Sequence, residues 1–510
     1  MRKLLIFMTL ALAVCCRGGV VQMQQSVTNP FSFTDIPDND VIRVGEDFYM
    51  ISTTMYFTPG APIMHSRDLV HWETVSYIFD LLEDDAIYRM EDGANAYGAG
   101  QWATSLRYHE GWYYALFVAN DQQKSYLYKT QDIVEGPWER YVFDEWFFHD
   151  PSLLFDDGRL YVVWGNGELR LTELSPDGSK VIGKEEVIVS TPSKNMGLRA
   201  EGAHFYHIGD YYYIIEIDWP EDAIRQVTCW RSTDIKGPYE SKVVLCGTLD
   251  GREKDGIAQG PIVDTPEGDW YAIQFQDHGA IGRIPTIQPV TWTDGWPIMG
   301  DGGVPMQEVK VNLPASGREY VWDSDDFTSD KLALVWQWNH KAPQKWSLTE
   351  KPGWLTIYSS TANRLSEARG TLTQRTVGPR CRSSVLLDWS SLGKGTEAGI
   401  CAFQSKSGRI GVKDGHLVVN QGDKTVFSTA LEGNGLVYLA ISYVFTPQEE
   451  GDKADTATFS YSMVGENWTT PDFTLEMEFT LDYFTGYRTG LYCFGADGKA
   501  QFDWFKQEIF

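Results

Sequence analysis

Three carboxylates, Asp38, Asp150 and Glu201, open three copies of one pattern repeated along this 510-residue chain, and two further copies open at Trp102 and Gln259. From each opening residue a short apolar run leads into a turn. Eleven residues on stands an aromatic: Tyr49, Tyr113, Tyr161, Tyr212 and Trp270. Equivalent positions of a repeat converge in space, so these acids are expected to meet. Hydrolysing an acetal needs a proton donor for the leaving oxygen, together with a base for water or a nucleophile at the anomeric carbon. A carboxyl pair supplies both. Activating water requires carboxyls roughly 6.5–9.5 Å apart, whereas a nucleophile sits closer. A third acid helps keep the donor protonated, because a neighbouring negative charge disfavours ionisation. One such acid alone is more simply a turn cap at a strand start; three in one register point to chemistry.

The elements that carry these residues are hairpins. The turns Gly45-Glu46-Asp47, Glu110-Gly111, Asp156-Asp157-Gly158, Gly209-Asp210 and Glu267-Gly268-Asp269 place Gly or Asp where positive φ is needed. Unit spacings of 64, 48, 51 and 58 residues leave room for two more strands each. Four-stranded units of this length build propellers, so residues 26–316 are predicted to form five blades around a channel lined by their inner strands. On that plan Trp102 either faces the channel as a plate for a sugar ring or fills space between blades. Arg283 is a cation in the segment after the fifth hairpin. Asp68, Asp132 and Asp234, in Ser/Thr-x-Asp contexts, are expected to cap outer turns. Residues 83–101, rich in Asp, Gly and Tyr, are expected to form a loop near the active face.

The repeat stops around residues 312–317, and residues 317–510 show alternating strands without helical periodicity, such as Trp354-Leu355-Thr356-Ile357-Tyr358. A β-sandwich is predicted there, making the chain all-β: a five-bladed β-propeller followed by a β-sandwich domain. A net charge of -27 argues against nucleic-acid and anionic-membrane partners and favours a neutral ligand. The 14% aromatic content suits either a sugar ligand or simply a β-rich fold. Met1-Arg2-Lys3 followed by an apolar run over residues 4–14 is a signal-peptide pattern, so residues 1–25 are expected to be leader and linker and the protein exported. Cys15 and Cys16 leave a lipid anchor open beside a periplasmic or secreted fate. The five remaining cysteines, an odd number, are expected to be small buried apolar residues. Their spacing suggests no zinc site.

Together, Asn29-Pro30, Pro37-Asp38 running into Val41-Ile42-Arg43-Val44-Gly45, His65-Ser66-Arg67-Asp68-Leu69-Val70, Asp150-Pro151-Ser152-Leu153, Glu201-Gly202 and Gln259-Gly260 resemble glycoside hydrolase family 43. Trp336-Gln337-Trp338-Asn339-His340 and Leu372-Thr373-Gln374-Arg375 resemble the sandwich of its xylosidase and arabinofuranosidase branches. The resemblance implies an inverting exo-glycosidase acting on terminal α-L-arabinofuranosyl or β-D-xylosyl residues of plant polysaccharide. It makes Asp38 the general base, Glu201 the general acid, and Asp150 the residue that tunes and orients the acid. Trp102, Arg283 and Gln259 become the expected sugar contacts. Two departures stand out. Asn39 replaces the proline that usually follows the base, and Gln259 replaces a histidine that commonly helps hold a calcium or water in the channel. No cofactor is called for, and the sequence does not support a structural calcium. A non-catalytic sugar-binding propeller is the rival reading.

Overall fold

The computed structural model describes residues 24–249, 255–433, 435–445 and 454–510. The expected leader, with Cys15 and Cys16, lies outside the described residues. So does most of the surface loop expected at 447–455, although Asp455 already opens the strand Asp455–Ser462.

Five four-stranded antiparallel sheets follow one another along the chain. Their innermost hairpins are Asp40–Val44 with Asp47–Ile51, Gln101–His109 with Trp112–Ala119, Ser152–Asp156 with Arg159–Trp164, Met196–Ile208 with Tyr211–Pro220, and Ile262–Asp264 with Trp270–Asp277. The repeated aromatics all lie near the start of the second strand of their hairpins, though not in one register: Tyr49 faces Ile42, Tyr113 faces Tyr108, Tyr161 faces Leu154, Tyr212 faces His207 and Trp270 faces Asp264. The five sheets are the blades of a propeller, with inner strands against one another around the axis. Gln25, expected at the end of a linker, opens a strand: Gln25–Thr28 pairs with Glu308–Val311 in a two-stranded sheet that joins the segment before the first blade to the one after the fifth.

Between the third and fourth strands of the blades, short polar side chains close the turns. Asp68 Oδ1 accepts the N–H groups of Val70 and His71, Asp132 Oδ1 those of Val134 and Glu135, and Asp234 Oδ1 that of Lys236. Blade three uses Asp177 in the same way, accepting from Ser179.

The second domain is a sandwich of an eight-stranded and a seven-stranded sheet. Strand alternation fills its core: along Leu436–Val444, Val437, Leu439 and Ile441 are fully buried and pack with Ile400, Ile410 and Phe502. The propeller contributes to this domain. Phe57–Thr58, between the second and third strands of blade one, pairs with Gln337–Asn339 and forms the edge of the eight-stranded sheet. One hydrophobic cluster runs across the junction, joining Met55, Tyr56, Phe57, Tyr88 and Ala96 to Leu365, Phe403, Tyr483 and Tyr492. At about 1.5–3 kcal/mol for each large side chain fully buried, this shared core strongly opposes separation of the domains. The loop over residues 83–101 lies in the junction, with Tyr97 stacked on Tyr483 at 3.9 Å and 3° between planes. Cys229, Cys381, Cys401 and Cys493 are buried and Cys246 partly so; all five are free thiols.

Candidate active site

At the heads of the repeats the inner strands depart from regular pleating. Asp38, Asp150 and Gln259 adopt left-handed φ of 49°, 47° and 59°, just ahead of the strands at Asp40–Val44, Ser152–Asp156 and Ile262–Asp264. Register shifts flank Glu201 in blade four and Gln101 to Thr104 in blade two, while Gly202 takes φ 62°. A residue other than glycine in this region costs roughly 1–2 kcal/mol, which Asp tolerates better than Gln. The kink breaks the two-residue alternation that would otherwise point neighbours to opposite faces. A Cβ on Gly202 would stand 2.7 Å from the Gln259 side chain, so the heads of blades four and five are in close contact.

Asp38 is buried and paired: its Oδ1 accepts from Arg283 Nη1 at 2.7 Å, with each side chain under a tenth exposed. Burial pushes its carboxyl above the ordinary range, opposed chiefly by the Arg283 charge. Arg283 is therefore no isolated cation. Phe484 of the sandwich lies under its guanidinium at 4.7 Å and accepts a hydrogen bond from Nη2 through its carbonyl at 3.3 Å. The Arg283 N–H and the Gly486 N–H each donate to one oxygen of Asp35, at 2.8 Å. Gly486 approaches the Ile281 carbonyl so closely that a Cβ would lie 1.9 Å from it, which only glycine allows. A sandwich loop is thereby locked onto the channel mouth.

Across the channel, Asp150 Oδ2 accepts the Gly202 N–H at 3.0 Å, and Glu201 Oε2 accepts from the Asn166 amide. Between the two carboxyls sits His149, its Nε2 3.3 Å from Glu201 Oε2 and 3.8 Å from Asp150 Oδ2. Burial raises the Asp150 carboxyl, with the Glu201 charge adding to the effect and the His149 charge opposing it. The Asp150 charge, with a hydrogen bond to Glu201, pushes the His149 imidazolium up to about 9, against its own burial. Trp102 closes the circuit, edge-on to Phe484 at 5.8 Å and to His149 at 6.2 Å. Contacts thus run continuously from Asp38 through Arg283, Phe484, Trp102 and His149 to Glu201 and Asp150.

Beneath this ring a fourth carboxylate, Asp40, binds Arg107 at 2.6 Å and His204 at 3.2 Å and accepts the Leu106 N–H. Burial would raise it, but Arg107 and His204 prevail and hold it below its ordinary value. Arg107 in turn reaches Ser152, so this charge pair joins four blades.

The structure brings Asp38, Asp150, Glu201, Trp102 and Arg283 into one connected group at the heads of the blades, and places Gln259 beside Gly202. Sequence reasoning missed His149, Asn166 and Phe484. His149 adjoins a head residue, which is a signal; Asn166 lies in the Gly165-Asn166-Gly167 turn; Phe484, in another domain, has no local mark. His149, Asp150 and Glu201 set nitrogen and oxygen atoms within 4.8 Å of one another. Metal binding would want all three deprotonated and turned to a common point. Here Nε2 is directed at Glu201, while Gly202 donates to Asp150 and Asn166 to Glu201.

The fold and the carboxyl-lined channel define a glycoside-cleaving propeller, and comparison with known proteins places it. Residues 27–297 match Glycosyl hydrolases family 43, and residues 324–508 match the Beta xylosidase C-terminal Concanavalin A-like domain. The chain belongs to glycoside hydrolase family 43. It is 29% identical to a beta-xylosidase of Formosa agariphila, covering 94% of this chain and 89% of that one. It is 32% identical to a non-reducing end alpha-L-arabinofuranosidase of Bacteroides ovatus, over 71% and 69%. Among solved structures, a bifunctional GH43-CE protein of Bacteroides eggerthii superposes with a TM-score of 0.88 at 40% identity, covering 95% of this chain and 64% of that longer one. An engineered GH43 enzyme with endo-xylanase and exo-arabinofuranosidase activity superposes with a TM-score of 0.84 at 28% identity, covering 95% and 100%.

Proposed function

We propose that this glycoside hydrolase is an exported, inverting exo-enzyme that removes terminal α-L-arabinofuranosyl residues from plant polysaccharide such as arabinoxylan or arabinan. In this reading Asp38 takes a proton from the attacking water, Glu201 donates one to the leaving oxygen, and Asp150 orients and tunes Glu201. Trp102, Arg283 and Gln259 line the sugar site. The observation that carries the proposal is the presence of two unlike carboxyl environments facing each other across the channel: Asp38 against a permanent cation, Glu201 beside a titratable one. Phe484 supports exo action by walling the pocket from the sandwich side. Cleavage of terminal β-D-xylosyl residues is the second reading, favoured by the beta-xylosidase among the relatives.

The test is to incubate wild type and Glu201→Gln with arabinoxylan and with aryl α-L-arabinofuranoside and β-D-xyloside, and to separate the products. Wild type is expected to release arabinose, and the variant to lose release from polysaccharide by at least 100-fold, within the range for losing an acid catalyst. Xylose as the main product selects the second reading. If wild type binds the polymer yet releases neither sugar, the propeller is a binding module.

A further inference from the structure

His149 has no part in the roles assigned above, yet it sits between two carboxyls. Its Nε2 faces two carboxyls, Glu201 at 3.3 Å and Asp150 at 3.8 Å; when both are ionised they only accept, so Nε2 is the donor, and the Asp150 charge favours the imidazolium. The ring is oriented by Trp102 on one side and by Phe147, stacked at 6.4 Å, on another. Under a quarter of the side chain is exposed. The titratable groups acting on it come from three blades: Asp150 beside it in blade three, Glu201 from blade four and Asp38 from blade one. Arg283 acts on the same array through Asp150, and Asn166 is the other donor to Glu201.

We propose that His149 is a positioning residue that stores the proton of the acid catalyst and passes it from Nε2 to Glu201 Oε2 for delivery to the leaving oxygen. The inference rests on Glu201 being the acid. In the step, the imidazolium N–H proton moves to a carboxylate lone pair of Glu201, leaving neutral imidazole. Glu201 gives that proton to the glycosidic oxygen as the bond to the anomeric carbon breaks, its electron pair staying on the oxygen. Water forms the new bond from the opposite face and yields its proton to Asp38. Solvent then takes the proton from Asp38 and returns one to His149 through its exposed edge, so each turnover balances. A histidine suits this storage because its proton is exchangeable near neutrality, unlike that of an arginine.

The experiment measures kcat/KM from pH 4 to 10 for the full chain, for His149→Gln and for Glu201→Gln, on two substrates of the same terminal sugar. One is a 4-nitrophenyl glycoside, whose leaving group needs little protonation; the other is an unactivated oligosaccharide, whose leaving group needs it fully. His149→Gln keeps an N–H donor for Glu201 but cannot release its proton. It is expected to move the alkaline limb down by at least one pH unit, and to lower oligosaccharide kcat/KM by at least tenfold with less than a threefold loss on the aryl glycoside. An unmoved alkaline limb, or equal losses on both substrates, overturns the inference and leaves His149 a packing residue. If Glu201→Gln still cleaves the oligosaccharide, the acid assignment itself fails. Should His149→Gln not fold, histidine-labelled NMR of the wild type decides: an imidazole still protonated at pH 7.5 supports storage, and one neutral at pH 6 overturns it.

Discussion

Replacing Arg283 with methionine should move the acid limb of the pH–rate profile to higher pH. Asp38 Oδ1 and Arg283 Nη1 are 2.7 Å apart and both side chains are almost wholly buried. Burial raises the Asp38 carboxyl, and Arg283 is the main force opposing it. Unit charges with centres about 4 Å apart attract by about 4 kcal/mol at an effective dielectric of about 20. With about 1.4 kcal/mol to a pKa unit, Arg283 holds the carboxyl down by no more than about 3 units; 1–3 is usual for Asp beside Arg. A base must be ionised to accept water's proton, so activity falls as pH drops through its pKa. Removing the cation raises that pKa, and the acid limb of kcat/KM should rise by about 1–3 units while the alkaline limb stays in place. Methionine keeps an apolar stem between the Phe275 and Phe484 rings. Arg283→Lys, which retains the charge without the planar fork, should recover most of the shift. The assay is initial rates on an aryl glycoside between pH 3.5 and 9. If Arg283→Met lowers kcat/KM at every pH but leaves the acid limb where it was, Arg283 serves only the sugar and Asp38 is not the ionising base.

Three further perturbations test the assembly. Phe484→Ala removes a ring that touches Trp102 and Arg283, and KM should rise about tenfold with little change in kcat, the equivalent of about 1.4 kcal/mol; an unchanged KM would show that the sandwich adds no wall. His340, fully buried, accepts the Ala96 N–H through Nε2 at 2.8 Å, and burial lowers its pKa from 6.5 to about 3. The unfolded chain therefore binds the proton first, so stability present above pH 6.5 is lost on acidification by up to about 1.4 kcal/mol per unit until about pH 3. Melting curves of wild type and His340→Gln should converge as pH falls from 7 to 4.5, and a gap independent of pH would refute this. Deleting residues 317–510 bares Tyr56, Phe57 and Tyr88, so the propeller alone should aggregate; a soluble, fully active truncation would show that the junction is dispensable.

How much was legible depends on how far the determining contacts reach. Hairpins are local, so turn residues and the aromatic eleven positions on expose the blades, and their register carries Asp38, Asp150 and Glu201 to one end of the channel. His149 was hidden by the same periodicity. In a regular strand the neighbour of a channel residue points away, and only the left-handed backbone at Asp150 turns both toward Glu201. Asp40 carries no local mark, because its role depends on Arg107 and His204 in other blades. Phe484 follows from domain docking, through Asp35, Arg283 and Gly486, and no short-range pattern encodes that.

Asp38 and Glu201 are both carboxyls, so the division of roles must come from their partners. A base for water has to remain ionised across the working range, and Asp38 faces a guanidinium that never gives up its charge there. An acid has to regain a proton on each turnover, and Glu201 faces an imidazole that can supply one. Exchanging the partners would leave the base beside a group that neutralises as pH rises and the acid beside a cation that always favours its ionised form, slowing both proton transfers. On the proposed roles, the cation types distinguish base from acid more directly than the carboxyl positions do. On this argument a double variant, Arg283→His with His149→Arg, would keep every carboxyl yet lose activity on oligosaccharides more severely than either single change; a double variant more active than the worse single one would break it.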